Sequence, residues 1–174
     1  MGSAFLPNEA PSRILTLLNE PSTMDALSRV PIEEVLTIFK TQETTVRYVR
    51  TKAKPPVAAR DFLSRVTVTY SDDGTITQTS IPEPSVVRAS PPNVIRGESF
   101  EQWILRPQNG GTLVTFEGKQ SLNGWIPWVV SSAVATRAAG QLRTLAELVG
   151  GDGEDVRSPS CCWVRSMCVG RGAS

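Results

Sequence analysis

Alternation of apolar and polar side chains is clearest over residues 60–70. There Phe62, Ser64, Val66, Val68 and Tyr70 point one way, while Leu63, Arg65, Thr67 and Thr69 point the other. This period of two predicts a strand. Ser71-Asp72-Asp73-Gly74 predicts a hairpin turn, and residues 75–81 a partner strand whose threonines and glutamine keep at least one face wet. Residues 93–106 predict a long strand. Asn109-Gly110-Gly111 turns the chain, because Asn and Gly tolerate positive φ, and residues 112–122 return antiparallel. Upstream, residues 44–53 are rich in β-branched side chains and predict another strand, broken by Lys54-Pro55-Pro56. Residues 82–92 hold four prolines in eleven positions and predict a loop.

Helical spacing is strongest near the C-terminal end. Val130, Val134, Ala138, Leu142, Leu145 and Val149 form one apolar stripe on a helix opened by Pro127 and ended by Gly150-Gly151. Small residues, among them Ser131, Ala135, Ala139 and Gly140, make this helix slim. Two readings stay open: plain core packing, or a roof with a hollow beneath it. Further upstream, Ser12 is expected to cap a helix over residues 13–19, and Ser22 or Thr23 one over 24–29. Pro31 and two following glutamates predict a third helix, with Val35, Ile38 and Phe39 on the face that meets the sheet. Residues 4–11 are expected to be an irregular arm. The strand at 44–53 is then a sheet edge, guarded by Arg47, Arg50 and Lys52.

Composition narrows the function classes. With 18 Lys plus Arg against 17 Asp plus Glu, nothing favours nucleic acid as a partner. The absence of histidine removes Ser-His-Asp and Cys-His catalysis, and a zinc site is not expected with three cysteines. Those cysteines, Cys161, Cys162 and Cys168, all lie in a Gly- and Ser-rich stretch, 151–174, that is expected to be a disordered tail. They form no disulfide framework, so a cytoplasmic setting is the default. No apolar run reaches the length of a membrane span, and Met1 to Leu6 has no secretory character.

Three motifs occur in order: Arg60-Asp61-Phe62 after Pro56, Val94-Ile95-Arg96 in the long strand, and Gly124-Trp125-Ile126-Pro127 before the last helix. Together they resemble the C-terminal half of a START (steroidogenic-acute-regulatory-related lipid transfer) domain, over about residues 44–149. The resemblance implies an α+β helix-grip fold. In it a curved antiparallel sheet of about five or more strands packs under a long C-terminal helix, with a lipid tunnel between them and the 82–92 loop near its mouth. It divides the chain into 1–43, an arm with short helices; 44–150, the lipid-binding domain; and 151–174, the tail. Two departures stand out. Ser121 replaces the family's Asp before Gly-Trp, and the strand before Arg60 offers no carboxylate to pair with it. Arg60 must therefore face water, bind a ligand group, or find a distant acid such as Glu98 or Glu117, since a buried lone guanidinium is costly.

On that resemblance the expected lipid-binding residues are Arg60, Phe62, Val66, Arg96, Glu98, Phe100, Phe116, Val130, Val134 and Ala138. Alternation alone does not say which sheet face is concave. Trp125, Ile126 and Trp128 are large apolar side chains around Pro127, suited to transient contact with a membrane surface. The leading expectation is a non-catalytic lipid-binding or lipid-transfer domain without cofactor, monomeric and peripheral at membranes, holding a sterol, phospholipid or other apolar lipid. The alternative is a START-like interaction domain with a collapsed cavity. A helix-grip enzyme ranks last, because Glu98, Glu101, Glu117 and Lys119 offer no matched acid/base pair.

Overall fold

A computed structural model describes residues 1–28, 30–53, 55, 57–124 and 137–150. Seven strands form one curved sheet: β1 (Gly2–Pro7), β2 (Ile32–Lys40), β3 (Thr44–Thr51), β4 (Arg60–Tyr70), β5 (Ile76–Pro82), β6 (Ile95–Gln108) and β7 (Gly111–Ser121). The spatial order is β1-β7-β6-β5-β4-β3-β2. Neighbours run antiparallel, with one short parallel stretch where the start of β4 meets the start of β6 and Asp61 lies opposite Arg96. Helices α1 (Pro11–Leu18) and α2 (Pro21–Leu27) lie between β1 and β2 in sequence, and α3 (Arg137–Leu148) is the described part of the C-terminal helix.

The hairpins follow from their turn chemistry. Asn109 and Gly110 both have positive φ, 37° and 79°, so β6 and β7 join through a two-residue turn whose twist matches the strands. At the β4–β5 turn, Asp73 accepts hydrogen bonds from the amide and hydroxyl of Thr75, which holds the carboxyl below its ordinary pKa.

Four sequence expectations are corrected. The supposed arm at 4–11 overlaps β1, which pairs with β7, and ends in the first residue of α1. The supposed third helix is β2, which pairs with β3. The 44–53 strand is therefore interior, and the outer edges belong to β1 and β2. Its guarding Arg50 instead reaches Glu33 and Glu34 on β2, at 3.3 and 3.4 Å. Finally, the short helices begin two and three residues earlier than expected, at Pro11 and Pro21. Pro11 and Pro21 occupy their first positions, where the missing N–H costs nothing.

Apolar side chains fall into two groups. The larger fills the space between the β1, β7, β6 and β5 face and the helices, with Leu6, Ile14, Trp103, Leu105, Phe116 and Leu145 at its centre. The smaller, Val46, Tyr48 and Leu63, lies on the opposite face of β3 and β4. The 83–93 loop covers this second face. Arg65 binds Glu83 through two 2.7 Å hydrogen bonds, Arg88 sits 4.2 Å above the Tyr48 ring, and Ser90 donates to Asp61.

Candidate functional site

The large core does not extend along the whole sheet. Beyond Trp103, toward β3 and the start of β4, a cavity of about 540 Å³ lies on the inner face, bordered on the helical side by Leu18 of α1, by Met24 and Leu27 of α2 and by Gln141 of α3. Its floor is built by alternation: Arg60, Phe62, Ser64 and Val66 from β4, with Arg47 and Val49 from β3. Gln78 and Ser80 on β5, Ser99, Glu101 and Trp103 on β6 and Gln120 on β7 extend it, while Met24, Leu27 and Gln141 come from the helical side.

This places the expected site residues. Arg60, Phe62 and Val66 line the cavity. Arg96, Glu98 and Phe100 do not, since they alternate with Ser99 and Glu101 and so face the other side of β6. Arg96 instead grips the buried Asp61 with two 3.0 Å hydrogen bonds and donates to the Arg88 carbonyl. Glu98 is exposed. Phe116 is on the inner face but fully buried in the packed half, its ring centroid 4.3 Å from that of Trp103. The loop at 83–93 is bound to the outer face, away from the cavity. Trp125, Ile126, Trp128, Val130 and Val134 lie outside the described residues, as do the side chain of Ala138 and the 151–174 tail.

Arg60 lines the cavity and does not face water. It is only 3% exposed, and its guanidinium donates to the backbone carbonyls of Ala58, Leu122 and Asn123. Desolvation lowers its pKa from the ordinary arginine value. The contacts fix the end of β7 and the approach to Gly124 beside the cavity. Asn123 also has positive φ and donates to the Arg96 carbonyl. One arginine and one asparagine thus set how the chain leaves the sheet toward its last helix.

Sequence reasoning missed Arg47 and Gln141. Arg47, expected to guard an edge, points into the cavity. Burial lowers its pKa, and the charge of Glu101 partly opposes that shift. It donates to Asn19 Oδ1 at 2.6 Å, and Asn19 in turn donates to Gln78 Oε1 at 2.9 Å. Gln141 sits on the apolar stripe, three residues after Ala138 and four before Leu145, which is a readable signal for a polar side chain turned inward. Chemically the cavity offers apolar walls with a few fixed polar groups. Among the described lining residues Glu101 is the one carboxylate, and there is no histidine or cysteine. No group of side chains suited to a metal ion occurs among the described residues.

A close approach shapes the floor. Phe62 and Gly97 are partners in the parallel stretch, and a Cβ at Gly97 would overlap the Phe62 ring. Gly97→Val is expected to displace that ring at a cost of about 1–3 kcal/mol, read as a lower urea midpoint with unchanged slope.

No family model matches the chain, and no curated protein matches it in sequence. Solved structures do match in fold. Human STARD10 superposes with TM-score 0.71 at 12% identity, over 84% of this chain and 61% of that one. A STAR-related lipid transfer protein fragment from Xanthomonas axonopodis gives 0.69 at 22% identity, over 85% and 83%. Human StAR-related lipid transfer protein 5 gives 0.70 at 16%, over 85% and 73%. The chain therefore has a START-like, α+β helix-grip fold, and spans under two thirds of the length of the STARD10 chain. Among the described residues no helix is long and apolar enough to cross a membrane.

Proposed function

We propose that this protein is a non-catalytic lipid carrier that holds one apolar lipid between its sheet and its C-terminal helix. The observation that supports this most is the cavity of about 540 Å³ on the inner face of a START-like sheet. That volume is within the usual range for small-molecule sites, about 300–1,000 Å³. Its walls carry Leu18, Leu27, Val49, Phe62 and Val66. Burying about a dozen methylenes against such walls yields roughly 10 kcal/mol, the same order as the association cost of about 4–15 kcal/mol. Catalysis is not part of the reading, because an acid/base mechanism needs two matched groups and Glu101 is already coupled to Arg47. Trp125, Ile126 and Trp128 supply the transient membrane contact that loading requires, and the monomer acts as a peripheral cytoplasmic carrier.

Native mass spectrometry of the purified full chain tests this, together with uptake of fluorescent sterol, diacylglycerol and phosphatidylcholine from vesicles. One lipid per chain, or saturable uptake of one probe, is the expected result. No co-purified lipid and no uptake of any probe overturns the proposal in favour of a ligand-free interaction domain.

A further inference from the structure

Strand register gathers the polar side chains of the cavity floor into a band that crosses the sheet. Arg47 on β3 lies opposite Ser64 on β4, and Ser99 on β6 lies opposite Gln120 on β7. Ser64 faces Pro82 on β5, and Ser80, two residues before it, faces Glu101 on β6, so Ser64 and Ser99 stand at the same level. All of these except Pro82 line the cavity, and neighbouring strands are about 4.8 Å apart, so polar groups recur on that spacing from β3 to β7. Val49 and Phe62 flank the band on one side and Trp103 on the other, while Leu18, Met24 and Leu27 border the same space from the helices. Two members of the band are open to a guest. Ser64 and Ser80 are half-buried, and their hydroxyls make no hydrogen bond to another described residue. Glu101, also half-buried, accepts from the Ser99 hydroxyl at 3.1 Å. A bare hydrocarbon lying across this floor would strip water from two hydroxyls and a carboxylate and return nothing, which is costly.

We infer that the cargo is a facially amphipathic ring lipid, an uncharged steroid-like molecule whose several hydroxyls lie along one face and meet the Ser64, Ser80, Glu101 and Gln120 band. The inference rests on the lipid-carrier reading and narrows its cargo. A hydroxyl both donates and accepts, so it can give its proton to Glu101 and still accept from a serine. One hydroxyl serves one part of the band, and a phospholipid or diacylglycerol gathers its oxygens at one end, whereas the band extends over several strands. Fused rings hold their hydroxyls on one face in advance, which lowers the ordering cost of binding. Charge of either sign is disfavoured, because Arg47 and Glu101 interact across the band and an ionised guest meets its like in one of them. The opposite, bare face of the rings then lies against Leu18, Met24 and Leu27.

The test measures binding to the full chain by equilibrium dialysis, with bound steroid quantified by mass spectrometry. The probes are 5β-cholestane-3α,7α,12α-triol, whose hydroxyls share one face, its 7β epimer, in which one hydroxyl is moved to the other face, and 5β-cholestan-3α-ol. The all-α triol is expected to bind about tenfold more tightly than the mono-alcohol, and the epimer to lose most of that gain. An apolar floor would reverse the order, since the added hydroxyls would lose their water unreplaced. Ser64→Ala combined with Ser80→Ala is expected to cut the preference to about threefold, and because this is a ratio, any general change in affinity cancels. The comparison on the unaltered chain stands if the variant fails to fold. The inference is overturned if the mono-alcohol or the epimer binds as tightly as the all-α triol, as when trapped water satisfies the band. An undiminished preference in the folded double variant overturns it too, and in these cases the lipid-carrier reading survives. Uptake of phosphatidylcholine or diacylglycerol with no binding of any of the three steroids also sinks the inference alone. If no lipid of any class binds, both fall.

Discussion

Asp61→Ala is expected to remove about 3–5 kcal/mol of stability, a large part of the roughly 5–15 kcal/mol that holds a domain of this kind together. Asp61 is fully buried and takes two 3.0 Å hydrogen bonds from Arg96 and one of 2.9 Å from Ser90. Alanine would leave the Arg96 guanidinium, whose side chain is 17% exposed, in a space it cannot leave and without its counter-charge. It would also release the 83–93 loop, whose Arg88 carbonyl is held by the same guanidinium. Urea unfolding measures the loss. The double variant Asp61→Leu with Arg96→Met is expected to recover most of it, because removing both charges also removes the orphaned one. A loss below about 1 kcal/mol for Asp61→Ala would mean that the loop is held by its other contacts and the pair is incidental.

This pair also marks what the sequence could and could not reveal. Arg60-Asp61-Phe62 and Val94-Ile95-Arg96 were both legible as strand openings, and alternation correctly put Arg96 and Glu98 on one face of β6. It did not say which face. That depends on the parallel contact between the starts of β4 and β6, which sets Asp61 opposite Arg96 across 35 residues of chain. The strand β1 was hidden for a related reason. Its six residues earn their structure from β7, more than a hundred positions away, and Pro7 looked like a loop signal. In β2 the period itself was blurred. Two register shifts, near Ile32 and near Thr37, change the phase of the alternation, and exposure of Ile38 and Phe39 on an outer edge leaves apolar residues at helix-like intervals. The hairpin turns, the long strands and the Leu142–Leu145 face of the last helix depend on local chemistry and were read directly. The position of the cavity depends on which side of the curved sheet the helices cover, and no single segment carries that information.

Filling the cavity separates the two outcomes that matter most for function. Ser64 lies on the floor, half-buried, with Arg47 as its partner on β3 and Pro82 on β5. Its small side chain borders the open space. Ser64→Trp would project an indole that buries about 150–250 Å² into the space a lipid would occupy. Overpacking a close-packed core costs about 1–3 kcal/mol, but here the ring enters a vacancy, so the expected change in stability is under about 1 kcal/mol. Lipid uptake, by contrast, is expected to fall more than about tenfold, since each methylene denied its wall forfeits about 0.8 kcal/mol. Ser64→Thr, which adds one methyl group, serves as the control and is expected to keep most of the uptake. The measurements are vesicle-uptake fluorescence and urea unfolding on the same preparations. Normal uptake by a folded Ser64→Trp protein would show that any lipid it carries lies elsewhere than on the inner face of this sheet. Lost uptake with an unchanged unfolding midpoint would tie cargo to the cavity itself, because a stability defect could not then account for the loss.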